Sequence, residues 1–175
     1  MPFTKKFLTN EKLLNLLNSA ESRQLSVPAV WFDTVSYEKR VSGIQNSSNV
    51  ETFHSDISFP SHKVFFLTHD VKSEDGPLTF CPGSNKFSIR RLWLEYKKSN
   101  EKNRTEKDPF YTINKKEESF LKLNITKGIV PKNTLIIMNG TVFHKRGSAI
   151  TGAKRSMIYT QFRLNPFSLE IKHDV

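Results

Sequence analysis

The spacing of apolar and polar positions changes more than once along the chain. Between Thr9 and Asn18 the residues Leu13, Leu14, Leu16 and Leu17 fall on one broad helical face, which predicts a helix capped by Thr9 or Asn10 and packed outside a sheet. After Val27-Pro28 the period shortens. Ala29 to Phe32 and Val35 to Tyr37 are rich in β-branched and aromatic residues, and Arg40 to Gln45 and Val50 to Asp56 continue as short strands between polar turns. Lys63 to Thr68 is the strongest strand; Leu78 to Cys81 follows the turn Ser73 to Pro77 and is closed by Pro82-Gly83-Ser84. Strand character returns at Thr134 to Met138, turns at Asn139-Gly140 and runs on through Thr141 to His144. After a polar loop from Lys145 to Lys154, the last strand covers Arg155 to Leu164. Many short strands with turns between them predict a mainly β barrel or jelly roll. A doubly wound α/β sheet would need a helix after most strands.

The segment 87–126 is different in kind, with Lys and Arg interleaved with Trp93, Tyr96, Phe110, Tyr111 and Phe120. Leu92, Tyr96 and Trp93 predict one short amphipathic helix there, and Glu117 to Leu123 another. Two readings stay open: a solvated insertion, or a lid whose cations recognise an anionic substrate. A nucleic-acid groove is a third, with no motif behind it, so nucleic acid is not the expected partner.

At 175 residues the chain is expected to be a single domain, with a helical region over 1–26 and the basic insertion over 87–126. Its 37% apolar content, including fourteen Phe, indicates a folded core. The net charge of +10 favours anionic partners. No apolar run reaches the roughly 18 residues of a membrane span. The single cysteine, Cys81, excludes an internal disulfide and fits a reducing, cytoplasmic setting; within Leu78-Thr79-Phe80-Cys81 it reads as a buried small hydrophobe.

Chemistry concentrates at His54-Ser55-Asp56. Residues two apart on a strand share a face, so this imidazole and carboxylate can converge on one point, and His144 on a distant strand completes a set. Two His and one carboxylate on one face of a metal, with the other face open, suit non-haem Fe(II). Strand alternation sends Phe53 and Phe143, each just before a ligand, into the core. His62, His69 and His173 read as surface or loop residues, and Asp70 and Asp75 as turn residues whose carboxylates satisfy local amides.

Around that motif lie Phe59-Pro60, Lys63 to Val71, Glu74-Asp75-Gly76-Pro77-Leu78 and Pro82-Gly83-Ser84-Asn85-Lys86. Over residues 50–86, and again over 131–164, the sequence resembles the phytanoyl-CoA dioxygenase family. Asn85 stands where that family often has His. The resemblance implies a double-stranded β-helix (jelly-roll, cupin-like) core, with His54, Asp56 and His144 holding Fe(II), and 2-oxoglutarate and O2 as cosubstrates. It places Arg155 on the distal carboxylate of 2-oxoglutarate, a role suited to a planar, permanently charged fork. Ser148, Lys154 and Ser156 are further candidates for cosubstrate contacts. The implied reaction is hydroxylation of a small-molecule substrate with release of succinate and CO2, an anionic substrate being the case if the basic insertion is a lid; the presence of Asp56 disfavours halogenation. Two alternatives stay open: an inert jelly-roll binding module with a relic site, and a cupin-like metal enzyme that does not use 2-oxoglutarate.

Overall fold

The computed structural model of the protein describes residues 6, 9–20, 30–36, 52–56, 61–100 and 111–163. Its elements run α1 (Glu11–Ala20), β1 (Val30–Ser36), β2 (His54–Ser55), β3 (Ser61–Leu67), β4 (Leu78–Phe80), α2 (Ile89–Ser99), β5 (Tyr111–Thr112), α3 (Lys115–Leu121), β6 (Thr126–Lys127), β7 (Thr134–Asn139), β8 (His144–Arg146) and β9 (Lys154–Arg163). Strands pair antiparallel into a four-stranded sheet of order β1-β9-β3-β7 and a five-stranded sheet of order β5-β2-β8-β4-β6. Apart from β5 and β6, each successive strand crosses to the other sheet. That alternation is the winding of a double-stranded β-helix, with β5 added at one edge by the excursion between β4 and β6.

Each sheet separates two packing environments. On β3, Phe65 and Leu67 join Met138 and Met157 in a cluster that also takes Leu78 and Phe80 from the opposite sheet, so this face looks into the space between the sheets. Val64 and Phe162, on the alternate face, pack against Leu13 and Leu17 of α1. Asn10 caps α1, its Oδ1 accepting the Leu13 N–H at 3.1 Å. The predicted apolar face of this helix is narrower than four leucines: Leu16 is 55% exposed.

The outer face of the five-stranded sheet is sealed in the same way. Phe53, Cys81 and Phe143, all fully buried, pack with Ile113 and with Leu94 of α2. Burying each Phe contributes roughly 1.5–3 kcal/mol. Both expected helices in the insertion form, α2 capped by Ser88 and α3 by an Asn114/Glu117 capping box. The expected face of α2 was wrong, however. Leu92, Trp93 and Tyr96 are exposed, while Arg91 and Leu94 are buried. Arg91 takes the inner position because its guanidinium donates to the backbone oxygens of Ser84 and Thr141 and pairs with Glu95, which a leucine cannot do.

Other boundaries shift. Ala29 to Tyr37 contains one strand, β1, instead of two apolar pieces. The strand expected through Thr141 begins only at His144 and extends over Lys145 and Arg146, the start of the predicted polar loop. The expected strand over Arg40 to Gln45, the Phe59-Pro60 pair and His173 lie outside the described residues. Among the described residues, no helix is long and apolar enough to cross a membrane.

Candidate metal centre

His54 in β2 and His144 in β8 are directly paired across the sheet, with ring centroids 4.5 Å apart. Phe53 and Phe143 face outward, so strand alternation turns the two imidazoles inward. Strand β2 ends at Ser55, yet Asp56 stays in line because its N–H donates to the Gly140 carbonyl at 3.2 Å. Gly140 lies close against β3: a Cβ there would stand 2.1 Å from the Ser61 hydroxyl, which would have to turn away. Ser55 Oγ donates to the Thr141 carbonyl at 3.3 Å, tying the two ligand-bearing segments a second time.

The turn that delivers His144 is clamped from outside. The Phe143 N–H donates to Ser84 Oγ at 2.9 Å, and its carbonyl accepts the Cys81 N–H at 2.9 Å. Arg91 donates to the Thr141 carbonyl at 3.1 Å and lies 4.8 Å from the Phe143 ring centre. The Pro82-Gly83-Ser84 turn, noticed in the sequence as punctuation, therefore positions a site residue.

Inside, the donor atoms are oriented for coordination. Each imidazole uses Nδ1 on a carbonyl two residues back, His54 on Thr52 and His144 on Val142, both at 2.8 Å. That bond fixes the tautomer with the proton on Nδ1 and leaves the Nε2 lone pair facing the site. Asp56 Oδ1 lies 3.6 Å from His54 Nε2 and 3.5 Å from His144 Nε2, is buried, and has no hydrogen-bond partner. An orphaned carboxylate oxygen between two imidazole lone pairs is costly unless a cation takes it up. Ligand atoms from the three residues lie within 4.8 Å of one another, so the donor set fits a metal ion. Burial, reinforced by Lys63 and His54, lowers the His144 pKa to about 3, so this imidazole is neutral at ordinary pH, as a ligand must be.

Arg155 is also placed inside, 5% exposed, with its guanidinium donating to the Gly76 carbonyl. It lines a cavity whose other walls are Phe65, Leu67, Val71, Leu78, Gly128, Ile136 and Met157. The planar, permanently charged fork of a guanidinium matches the geometry of a carboxylate. Ser148 is exposed and lines no part of that cavity, and Lys154 is exposed as well.

Other expected roles divide. Asp70 accepts the Lys132 N–H and Asp75 the Lys72 N–H, each at 2.8 Å, as turn residues do. His69 bonds the Lys154 carbonyl at 3.1 Å from a half-buried position. His62, expected at the surface, is instead 5% exposed on β3, paired with Phe162 and Asn139. Cys81 is buried as expected; burial first, then Glu118, pushes its thiol pKa up to about 11. Of the basic insertion, Lys98 is taken up by Glu117 at 2.9 Å and by the Thr112 carbonyl. The residue missed altogether is Lys63. Its ammonium pairs with Asp56 and lies 3.0 Å from His144 Nε2. The signal was present: Lys63 shares a strand face with Phe65 and Leu67, the face that is buried.

No family model and no curated protein matches the chain. Solved structures do. AviO1 from Streptomyces viridochromogenes Tue57 superimposes with a TM-score of 0.57 at 15% identity, over 94% of this chain and 62% of that one. The epimerase SnoN, in complex with Fe3+, alpha ketoglutarate and nogalamycin RO, gives 0.58 at 13% identity, over 97% and 68%. HygX from Streptomyces hygroscopicus, with nickel, 2-oxoglutarate and hygromycin B bound, gives 0.50 at 13% identity, over 96% and 67%. The chain thus spans about three fifths to two thirds of the length of these proteins. At such identities the shared property is the fold, a double-stranded β-helix of the kind that houses iron and 2-oxoglutarate in SnoN.

Proposed function

We propose that the chain is a non-haem iron, 2-oxoglutarate-dependent oxygenase of the phytanoyl-CoA dioxygenase type that hydroxylates a small molecule. The observation that carries this reading is the inward convergence of His54 Nε2, Asp56 Oδ1 and His144 Nε2, with both Nδ1 atoms already engaged and Asp56 Oδ1 without a partner. Two imidazoles and one carboxylate form the facial set that suits Fe(II). Arg155, in an apolar cavity of the same interior, supplies the guanidinium for the distal carboxylate of 2-oxoglutarate. The presence of 2-oxoglutarate in SnoN and HygX structures of this fold supports the same assignment.

In this reading His54, Asp56 and His144 hold iron, which supplies oxygen activation at the expense of 2-oxoglutarate. The chain's own residues position and shield. Ser55, Gly140 and Ser84 fix the ligand segments, and the walls Phe65, Leu67, Ile136 and Met157 keep water from the cosubstrate. The test is succinate formation across a panel of small anionic substrates. It should require Fe(II) and disappear in Asp56→Ala, and succinate release indifferent to iron would refute the reading.

The inert binding module has one observation in its favour: Lys63 already bridges Asp56 and His144 with a fixed positive charge. Metal affinity separates the two readings. A relic would bind Fe(II) or Mn(II) no better than Asp56→Ala does.

A further inference from the structure

Helix α2 carries its apolar stripe on the side away from the fold. Ile89, Leu92, Trp93 and Tyr96 follow the i, i+3, i+4, i+7 spacing of a helix built to bury one face, yet all four are exposed, Ile89 at 87% and Tyr96 at 71%. The opposite side holds the helix in place, through Leu94 in the layer with Phe53 and Phe143 and through the Arg91 bonds to Ser84 and Thr141. Phe120 of α3, also exposed, continues the stripe with its ring centre 5.4 Å from that of Trp93. Apolar side chains scattered singly are ordinary at a surface, whereas a contiguous group of them marks a contact. This one lies across the five-stranded sheet from the inward imidazoles, so it is separate from the metal centre.

The rim of the stripe is cationic. Arg90 and Lys97, both exposed and two turns apart, run along one edge of α2, and Lys116 lies one turn before Phe120 on α3. The acidic residues of the two helices are taken up within the fold: Glu95 pairs with Arg91, Glu117 with Lys98 and Glu118 with Lys115. The charge presented beside the stripe is therefore positive.

Aliphatic residues with Trp and Tyr among them, bordered by Lys and Arg, suit the headgroup region of an anionic bilayer, where rings and aliphatic groups enter the acyl boundary and the cations meet lipid phosphates and carboxylates. Other occupants fit less well. A second copy of this chain would bring the same cations against these, in a molecule of net charge +10. A nucleic acid would stack on open ring faces, but Trp93 already has Lys97 over its ring at 5.4 Å and Phe120 beside it, and Ile89 and Leu92 give a base nothing to stack on. We propose that Ile89, Leu92, Trp93, Tyr96 and Phe120, with Arg90, Lys97 and Lys116 at their rim, form a face that docks the protein on an anionic lipid surface.

The experiment sediments the protein with vesicles of phosphatidylcholine alone, or of phosphatidylcholine with about one third phosphatidylserine. Wild type should bind the anionic vesicles more than about tenfold more tightly than the neutral ones. Arg90→Gln/Lys97→Gln/Lys116→Gln should lose about fivefold for each charge removed. Lys72→Gln/Lys127→Gln/Lys132→Gln removes as much charge from exposed lysines outside the two helices and should lose no more than about threefold in all. Ile89→Ser/Trp93→Ala, with every charge intact, should bind about tenfold or more weakly while unfolding at the wild-type temperature. No binding to anionic vesicles, equal losses in the two lysine and arginine sets, or undiminished binding in Ile89→Ser/Trp93→Ala would each overturn the proposal. So would a dimer in sedimentation velocity, or binding of single-stranded polyuridylate, that is lost in Ile89→Ser/Trp93→Ala while vesicle binding is absent; the first would assign the face to a second copy and the other to nucleic acid.

Discussion

The two faces of the five-stranded sheet are built from neighbouring residues and behave as opposites. Phe53 and Phe143 look outward into a sealed apolar layer under α2, while His54 and His144, one residue further along, look inward with lone pairs directed at Asp56. The outer face is a closed apolar layer in which Phe53, Cys81 and Phe143 are fully buried. The inner face leaves a buried carboxylate oxygen without a hydrogen bond, which a protein tolerates where function requires it. Strand alternation thus separates the packing face from the face that carries the two imidazoles.

That division can be broken one face at a time. Phe143→Ala should lower unfolding stability by about 3–5 kcal/mol, measured by denaturant titration. His144→Ala should cost less than that but abolish the rise in Tm on adding Mn(II), which depends on metal binding only to the folded chain. If the neighbours proved equivalent in both measurements, the division would be wrong.

Acid acts on the inner face. The folded His144 pKa is lowered to about 3 from an ordinary 6.5, so between those values the unfolded chain binds a proton that the folded chain does not. This group's contribution to stability is therefore full above about pH 6.5 and lost as pH falls toward about 3. The acid arm of a stability profile should be shallower in His144→Ala; an unchanged arm would mean that His144 is not the buried neutral group described.

Ser84→Ala removes one acceptor from the clamp on Phe143 and should cost about 1 kcal/mol. It should also weaken Mn(II) binding by loosening the turn before His144, an effect that a purely local loss would not produce. At the small end, Trp93→Ala on the exposed side of α2 should change stability by no more than about 0.5 kcal/mol, because Trp93 is 52% exposed and contacts chiefly Phe120 and Lys97.

What could be read from the sequence follows the same line. His54, Asp56 and His144 stood out because few residue types coordinate metal, and the alternation of Phe with His at both places predicted which way each would point. Strand positions such as Ser61–Leu67 and Lys154–Arg163 were legible from β-branched and aromatic density. Helix faces were not. Arg91 displaced Leu92 from the inner side of α2 because two distant carbonyls, of Ser84 and Thr141, needed donors, and no local pattern reports a distant carbonyl. Leu16 and His62 misled for a related reason, since their exposure is set by what α1 and β3 lie against. Lys63 was overlooked because a single lysine in an apolar strand looks like an edge residue until the opposite sheet brings Asp56 to it.

The central claim is that the inward triad and Arg155 together form one site for metal and 2-oxoglutarate. Titrating 2-oxoglutarate into the protein with and without Mn(II) tests it most directly. The account predicts binding that appears only with the metal and is weakened at least tenfold by Arg155→Ala. Binding of equal strength without metal, or none in either case, would contradict it.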